Sequence, residues 1–147
     1  MNSTVVVDDH ILLQILLGQE PSPLRPHGAI LATTGLWYHR LCRALADDTV
    51  TGVMSRQLGN ANTTLASAAV GTIIELPESI HLVSLRALAW PMAEILAGGE
   101  RLNLLSLEAL AAAESLSAEL CIAKQDDNTP LRIAAARRGV AVRIINI

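Results

Sequence analysis

Aromatic residues are scarce in this sequence: its 147 residues include no phenylalanine, one tyrosine and two tryptophans, although 51% of the chain is hydrophobic. The core must therefore be built from Leu, Ile, Val and Ala. No apolar run approaches the roughly 18 residues that would predict a membrane-spanning helix, and the first residues lack the basic segment of a secretion signal. We therefore expect a soluble, cytoplasmic protein that folds as a single domain over residues 1–147.

Positive charge is also limited. The formal net charge is −3, so no overall basic field draws the chain to nucleic acid or to a membrane surface. Ten of the eleven basic residues are arginine and one is lysine. Arginine suits planar contacts with phosphate groups, but codon bias alone could produce the same composition.

Several motifs that would identify an enzyme class are missing. The sequence has neither G-x-G-x-x-G nor G-x-x-x-x-G-K-[ST], which disfavours nucleotide-binding enzymes. Ser3, Ser55 and Ser106 lack the sequence context of a nucleophile elbow, which disfavours serine hydrolases. The two cysteines, Cys42 and Cys121, are far apart and have no metal-ligand spacing, so we expect buried free thiols.

The sequence does contain an alternation of short apolar strands and helices, most clearly in its last third. Thr129-Pro130 predicts a helix N-cap followed by proline at the first helical position. Alternation of this kind is typical of a parallel α/β sheet. The predicted order in this third is helix Leu104–Leu116, strand Leu120–Ala123, an acidic turn, helix Leu131–Arg138 and strand Val140–Ile145.

The earlier part of the chain shows the same alternation. Pro91 is tolerable if its helix begins near Leu88, because proline suits the first helical turn. The least defined region includes a short helix near Met54–Leu58. The predicted strands are Thr4–Val7, Ile30–Thr33 and Ile80–Val83, and the predicted helices are Ile11–Leu17, Leu36–Ala46, Leu65–Ile74 and Ala87–Ala97.

Acidic residues follow two of the apolar strands. Asp8 and Asp9 come after Thr4–Val7, and Asp126 and Asp127 follow the strand of the last third. We expect both strands to be central, with Asp8 and Asp126 at the same sheet edge, ~5–10 Å apart. Carboxylates gathered in this way repel one another unless a cation lies among them, and oxygen ligands suit Mg²⁺ or Mn²⁺. Such sites activate water for attack on phosphodiesters.

Each of these acids also has a purely structural interpretation. Asp9 could cap the following helix, and Asp126 or Asp127 could serve the turn before Thr129. Glu108, in the first turn of its helix, gains about 0.3–1 kcal/mol from the helix dipole without any function. Two adjacent acids after each of two strands favour the metal site, because one cap suffices for a helix.

Three polar residues of the helix Leu36–Ala46 are candidates for substrate contact. Arg40 and Arg43 lie three residues apart on one face, with His39 beside them. They could line a path for a phosphate backbone, or they could form a solvated face of the helix.

Two parts of the chain resemble PIN domains. VVVDDHILLQILLG is similar to their opening, in which a first strand ends in an Asp and an apolar helix follows. The segment Ile80–Val142 is similar to the PIN C-terminal half: LSLEALAAAESLSAEL resembles the helix that begins with Asp-Ala-Leu, and CIAKQDDNTPLRIAAARRGVAV resembles the strand and acidic turn after it. The middle, about Pro21–Leu76, is similar only in length and helical character.

The resemblance implies a three-layer α/β/α domain with a mostly parallel central sheet. It also implies four acids that bind Mg²⁺ or Mn²⁺ for RNA hydrolysis, and many PIN domains are the ribonuclease toxins of bacterial toxin–antitoxin pairs. Asp8 matches the first acid. The second belongs in the helix LWYHRLCRAL, where this chain offers His39 and no carboxylate.

The third and fourth acids match less directly. Glu108 is the third acid if its Glu-Ala-Leu stands for Asp-Ala-Leu, whereas a gapless count back from Leu120 places Ser106 there. The fourth falls within Lys124 to Asp127, where Asp126 and Asp127 are the available carboxylates.

Two functions follow from these residues. The first is a PIN-like, metal-dependent endoribonuclease in which Asp8, Glu108 and Asp126 are catalytic and, with Asp127, hold Mg²⁺ or Mn²⁺. Its partners would be RNA and a protein such as an antitoxin, and the chain could form a homodimer. The alternative is a catalytically degenerate PIN-like domain that acts as an interaction module, which the missing carboxylate at His39 favours.

Overall fold

The computed structural model of the chain describes residues 3–25, 28–46 and 70–147. These residues form a five-stranded sheet with helices between its strands, and residues 70–74 are also helical. The strands are β1 (Thr4–Val7), β2 (Ile30–Thr34), β3 (Ile80–Val83), β4 (Glu119–Ala123) and β5 (Val142–Ile145). The helices are α1 (Asp9–Leu16), α2 (Gly35–Ala46), α3 (Leu85–Ala97), α4 (Leu104–Leu116), a short 3-10 helix (Lys124–Asp126) and α5 (Thr129–Arg137).

The sheet is entirely parallel, with the strand order β3-β2-β1-β4-β5. β1 lies at its centre, where Val5 is in register with Leu31 of β2 and Val6 with Leu120 of β4. A strand covered on both faces must be apolar at every position, which explains the run Val5–Val7. The predicted α/β class with a parallel sheet and a central Thr4–Val7 is therefore confirmed.

Alternate side chains of the central strands enter two separate cores. Val6, Leu120 and Ile122 pack with residues of α3, α4 and α5 on one face of the sheet. Val5 and Val7 pack with residues of α1 and α2 on the other face. This alternation along a strand produces the three layers of an α/β/α fold.

Helix α4 is buried on nearly all sides. Every residue from Ser106 to Ala113 is buried, and four of these are alanines that let the helix lie close to its neighbours. This stretch of the helix has no solvent face, so the two polar residues within it, Ser106 and Glu108, also lie inside the protein.

Several predicted boundaries need correction. α5 begins at Thr129 and is capped by Asn128, whose side chain accepts from Leu131 N–H, so the predicted N-cap Thr129 is wrong. β5 begins at Val142 rather than Val140.

Two further corrections concern α3 and the part of the chain outside the described ranges. α3 begins at Leu85, capped by Ser84, so Pro91 lies inside the helix rather than in its first turn. The predicted helix Met54–Leu58 and residues 65–69 of Leu65–Ile74 lie outside the described residues. Cys42 and Cys121 are free thiols, as predicted, but only Cys121 of the two is buried, whereas Cys42 is partly exposed. In the described ranges, no helix combines the length and apolar character needed to cross a membrane.

Candidate functional site

The candidate site lies where the connections of the sheet diverge. From β1 the chain crosses to β2 on one side, and from β4 it crosses to β5 on the other, although β1 and β4 are neighbours. In open parallel sheets the crevice at the carboxyl ends of two such strands is the usual place for a ligand. Asp8 follows β1, and Asp126 lies in the 3-10 helix that follows β4. The predicted placement of these two acids at one sheet edge is confirmed.

Asp8 connects helix α1 to strand β4. It is fully buried, one carboxylate oxygen accepts from Ile11 N–H at 2.9 Å, and the other accepts from Ala123 N–H at 2.9 Å. Asp8 is therefore the N-cap of α1, and the expectation that Asp9 would cap this helix is wrong. Burial, together with the nearby Asp126 carboxylate, raises the pKa of Asp8 well above its usual value.

Asp9 is paired with an arginine from a different helix. Its carboxylate is fully buried, and both of its oxygens accept from the guanidinium of Arg40 on α2, with Arg40 Nη2 2.6 Å from Asp9 Oδ1. The same Nη2 lies 2.6 Å from Asp126 Oδ2. Burial disfavours the charged guanidinium, but the two carboxylates raise the pKa of Arg40 above its usual value. Arg40 thus joins the acids that follow β1 and β4.

His10 is a second cation among these acids. Its Nδ1 lies 3.0 Å from Asp126 Oδ2 and 3.3 Å from Asp9 Oδ1. Burial disfavours the imidazolium, but hydrogen bonds to Asp126 and Asp9 raise the pKa of His10 to about 10. For Asp126 burial again opposes the charge, whereas His10 and Arg40 hold the pKa of this carboxylate below its usual range. At neutral pH two carboxylates therefore face two cations.

Four side chains at this edge could hold a metal ion. One ligand atom each from Asp8, Asp9, His10 and Asp126 lies within 4.8 Å of the others, and we call these four residues the carboxylate cluster. In this arrangement, however, Arg40 competes with Mg²⁺ or Mn²⁺ for the carboxylates of Asp9 and Asp126. Both oxygens of Asp8 accept from backbone N–H groups, and both oxygens of Asp9 accept from Arg40. A metal ion would have to displace the guanidinium and the proton of His10.

Glu108 lies outside the cluster and serves the start of α2. Its Oε1 accepts from Leu36 N–H at 2.8 Å, and its Oε2 is buried without a hydrogen-bond partner among the described residues. A Cβ at Gly35 would lie 4.0 Å from Oε2. Glu108 is therefore not among the four residues whose ligand atoms lie within 4.8 Å of one another, and its carboxylate contacts the first turn of α2.

The remaining predicted residues also point elsewhere. Asp127 pairs with Arg132 at 2.8 Å, with both side chains partly exposed, and does not join the cluster. His39 and Arg43 lie on the exposed side of α2. Of the three α2 residues predicted as substrate contacts, Arg40 alone contacts the cluster, in the helix where the resemblance placed the second acid at His39.

A small cavity of about 70 Å³ adjoins the cluster at the beginning of two helices. Arg40 and Asp126 form one side of it. Ser106, in the first turn of α4, and Asn128, the N-cap of α5, form another, with Asn128 Nδ2 donating to Ser106 Oγ at 2.8 Å. Ser106, one of the two residues proposed for the third acid position, thus lines the same cavity as Asp126, whereas Glu108 does not.

No pattern in the sequence predicted the pairing of Arg40 with the cluster. His10 follows Asp8-Asp9 directly, so its place at the same strand end could have been found from adjacency alone. No protein-family model matches the chain, and no curated protein matches it.

Proposed function

We propose that this chain is a PIN-like domain that does not hydrolyse RNA and instead acts as a protein interaction module. The observation that carries the proposal is the position of Arg40, whose Nη2 lies 2.6 Å from both Asp9 Oδ1 and Asp126 Oδ2. A guanidinium there takes the place that a divalent cation would need.

The charge balance of the cluster supports this reading. Asp9 and Asp126 are neutralised by Arg40 and by the protonated His10, and the raised pKa of Asp8 favours its neutral form. A divalent cation entering this group meets two positive charges and no free pair of carboxylates. The expected metal affinity is therefore weak.

The neighbouring positions support it as well. Ser106, which lines the same cavity as Asp126, offers a hydroxyl at one of the two positions where the resemblance implies a third acid. A hydroxyl cannot provide the charge with which hard cations are held. The net charge of −3 also disfavours a nucleic-acid partner and favours a protein.

The test combines metal binding with RNA cleavage. We expect the melting temperature of the wild type to be unchanged by millimolar Mg²⁺ or Mn²⁺, and a labelled single-stranded RNA to remain intact and unbound. Arg40→Glu removes the internal cation and adds a carboxylate, so this variant should gain a metal-dependent rise in melting temperature. Arg43→Glu, an exposed change on the same helix, is the matched control and should gain none.

A second candidate, the metal-dependent ribonuclease, is favoured by the four ligand atoms that lie within 4.8 Å of one another. It requires Arg40 to leave the cluster when Mg²⁺ or Mn²⁺ binds, and RNA and an antitoxin-like protein would then be its partners. Cleavage by the wild type that needs added metal and is lost in Asp8→Asn would establish it, and would overturn the proposal above.

A further inference from the structure

Helix α3 exposes an apolar face that the core does not use. Trp90, at the centre of this face, is 73% exposed. Leu85 and Leu96, which are 53% and 49% exposed, lie at its margin, about 120–140° around the helix from Trp90. An exposed tryptophan with apolar neighbours is the usual sign of a binding surface rather than of a solvated helix. The small residues Ala89, Ala93 and Ala97 lie between these side chains and are also exposed.

Burial on the opposite side of α3 already attaches the helix to the domain. Leu88, Met92 and Ile95 recur at helical spacing and enter the core beside α4. The exposed face around Trp90 is therefore not needed to attach α3 to the core. Trp90 has a defined orientation on this face, because its Nε1 donates to Glu94 Oε1 at 2.8 Å.

Opposite charges are arranged symmetrically around Trp90. Arg86 precedes it by four residues and Glu94 follows it by four, so all three lie along one face of the helix. Within the described part of the chain, the Arg86 side chain forms no ion pair. We infer that α3 pairs with α3 of a second copy of this chain, antiparallel about a two-fold axis near Trp90, with Arg86 of each copy facing Glu94 of the other.

The symmetric placement of the charges favours a second copy of this chain as the partner and an antiparallel orientation of the two helices. In an antiparallel pair centred on Trp90, a residue that precedes Trp90 in one copy faces the residue that follows Trp90 by the same number of positions in the other copy. The two-fold axis therefore produces two Arg86–Glu94 pairs. A parallel pair would instead place Arg86 against Arg86 and Glu94 against Glu94. The two Trp90 side chains meet near the axis, so we expect the helix axes to lie about 10 Å apart.

The size of the surface sets the expected strength. One helix pair buries less than the ~1,200 Å² of a stable standard interface, so we expect self-association in the micromolar range. Ion pairs at its exposed rim are screened by salt, so high ionic strength should weaken the dimer. The surface is separate from the carboxylate cluster, and the inference does not depend on the proposed function.

The experiment uses two charge reversals, alone and mixed, in sedimentation velocity runs over a concentration series. Wild type should shift from monomer to dimer. Arg86→Glu and Glu94→Arg should each remain monomeric, because each places like charges together, and an equimolar mixture should restore the dimer. Both changes suit the helix dipole, since they place an acid in the first turn and a base near the end, so neither should unfold α3.

A matched control and a second readout complete the design. Arg101→Glu, an exposed arginine outside α3, should dimerise like wild type. Acrylamide quenching should become weaker at high protein concentration in wild type but not in Glu94→Arg, because Trp90 is exposed whereas Trp37 is buried. A wild type that stays monomeric, single variants that dimerise like wild type, or a mixture that stays monomeric would each overturn the inference.

Discussion

Arg40 on α2 donates to both oxygens of Asp9, which follows β1 by two positions and is fully buried. The pair joins α1 and α2, which lie on the same face of the sheet. It places a complete ion pair where the resemblance to PIN domains implies a metal. The positions of α1, α2 and the 3-10 helix therefore depend on charges that the protein itself provides.

Removing the arginine should destabilise the fold. Arg40→Ala leaves the buried Asp9 carboxylate with His10 as its remaining cationic neighbour. We expect the free energy of unfolding to fall by about 3 kcal/mol, the low end for a broken buried pair, because Arg40 is one-third exposed. The measurement is urea unfolding, with the exposed Arg43→Ala as the control. The double variant Asp9→Asn/Arg40→Ala should recover part of the loss, since no buried charge remains unpaired. Equal stability of both single arginine variants would contradict the pairing.

Stability should also fall as the solution becomes basic. The pKa of His10 is about 10 in the folded protein, against 6.5 for the free side chain, because Asp126 and Asp9 hold its proton. The folded state therefore binds this proton more tightly, and the resulting stability is fully present below pH 6.5 and is lost as the pH rises through about 10. We expect urea midpoints to decline over this window, and His10→Gln to reduce the decline. An identical pH profile in His10→Gln would refute this assignment.

Asp8→Asn should destabilise the protein even though it removes an acid from a crowded site. Both oxygens of Asp8 accept from backbone N–H groups, one at Ile11 and one at Ala123. An amide provides one oxygen and one N–H₂ group, so one of these donors must lose its partner at a cost of about 1–3 kcal/mol. Thermal unfolding of Asp8→Asn at pH 7 decides the matter. A higher melting temperature would mean that relief of repulsion outweighs the lost hydrogen bond.

Glu108 should prove to be a structural residue. Its Oε1 accepts from Leu36 N–H at the start of α2, which Thr34 also caps by accepting from Trp37 N–H. Glu108→Gln keeps an oxygen acceptor and should change the free energy of unfolding little. Glu108→Ala should lose about 1 kcal/mol or more, as when a helix cap is removed. Neither variant should change how the melting temperature responds to Mg²⁺ or Mn²⁺, whereas the loss of a metal ligand would change it.

The meeting of Asp8 and Asp126 could be predicted from the sequence because strand ends follow from apolar runs. Thr4–Val7 and Ile80–Val83 appear with the predicted bounds, and parallel strands present their carboxyl ends at one edge. The role of Arg40 could not be predicted in the same way. Periodicity placed His39, Arg40 and Arg43 on one polar face, but which of them turns inward depends on how α2 packs against α1.

The direction of the Glu108 side chain could not be predicted from the sequence for a related reason. α4 is buried on almost every side, so its sequence shows no polar stripe from which a direction could be read. The first residue of a helix was also hard to predict where two adjacent residues could each serve as the N-cap. Asn128 and Thr129 are both good N-caps, and the structure uses the first, whose amide also donates to Ser106.

The central place of β1 has a consequence for how the chain is made. β1 pairs with β2 nearby in sequence, but its other neighbour is β4, and the Asp8 side chain accepts from an N–H group 115 residues away. During synthesis one edge of β1 therefore stays unpaired until the part of the chain that contains β4 has left the ribosome. Such long-range pairing slows folding and exposes an unpaired edge to neighbouring chains. The sheet can therefore be completed only after β4 is available to pair with β1.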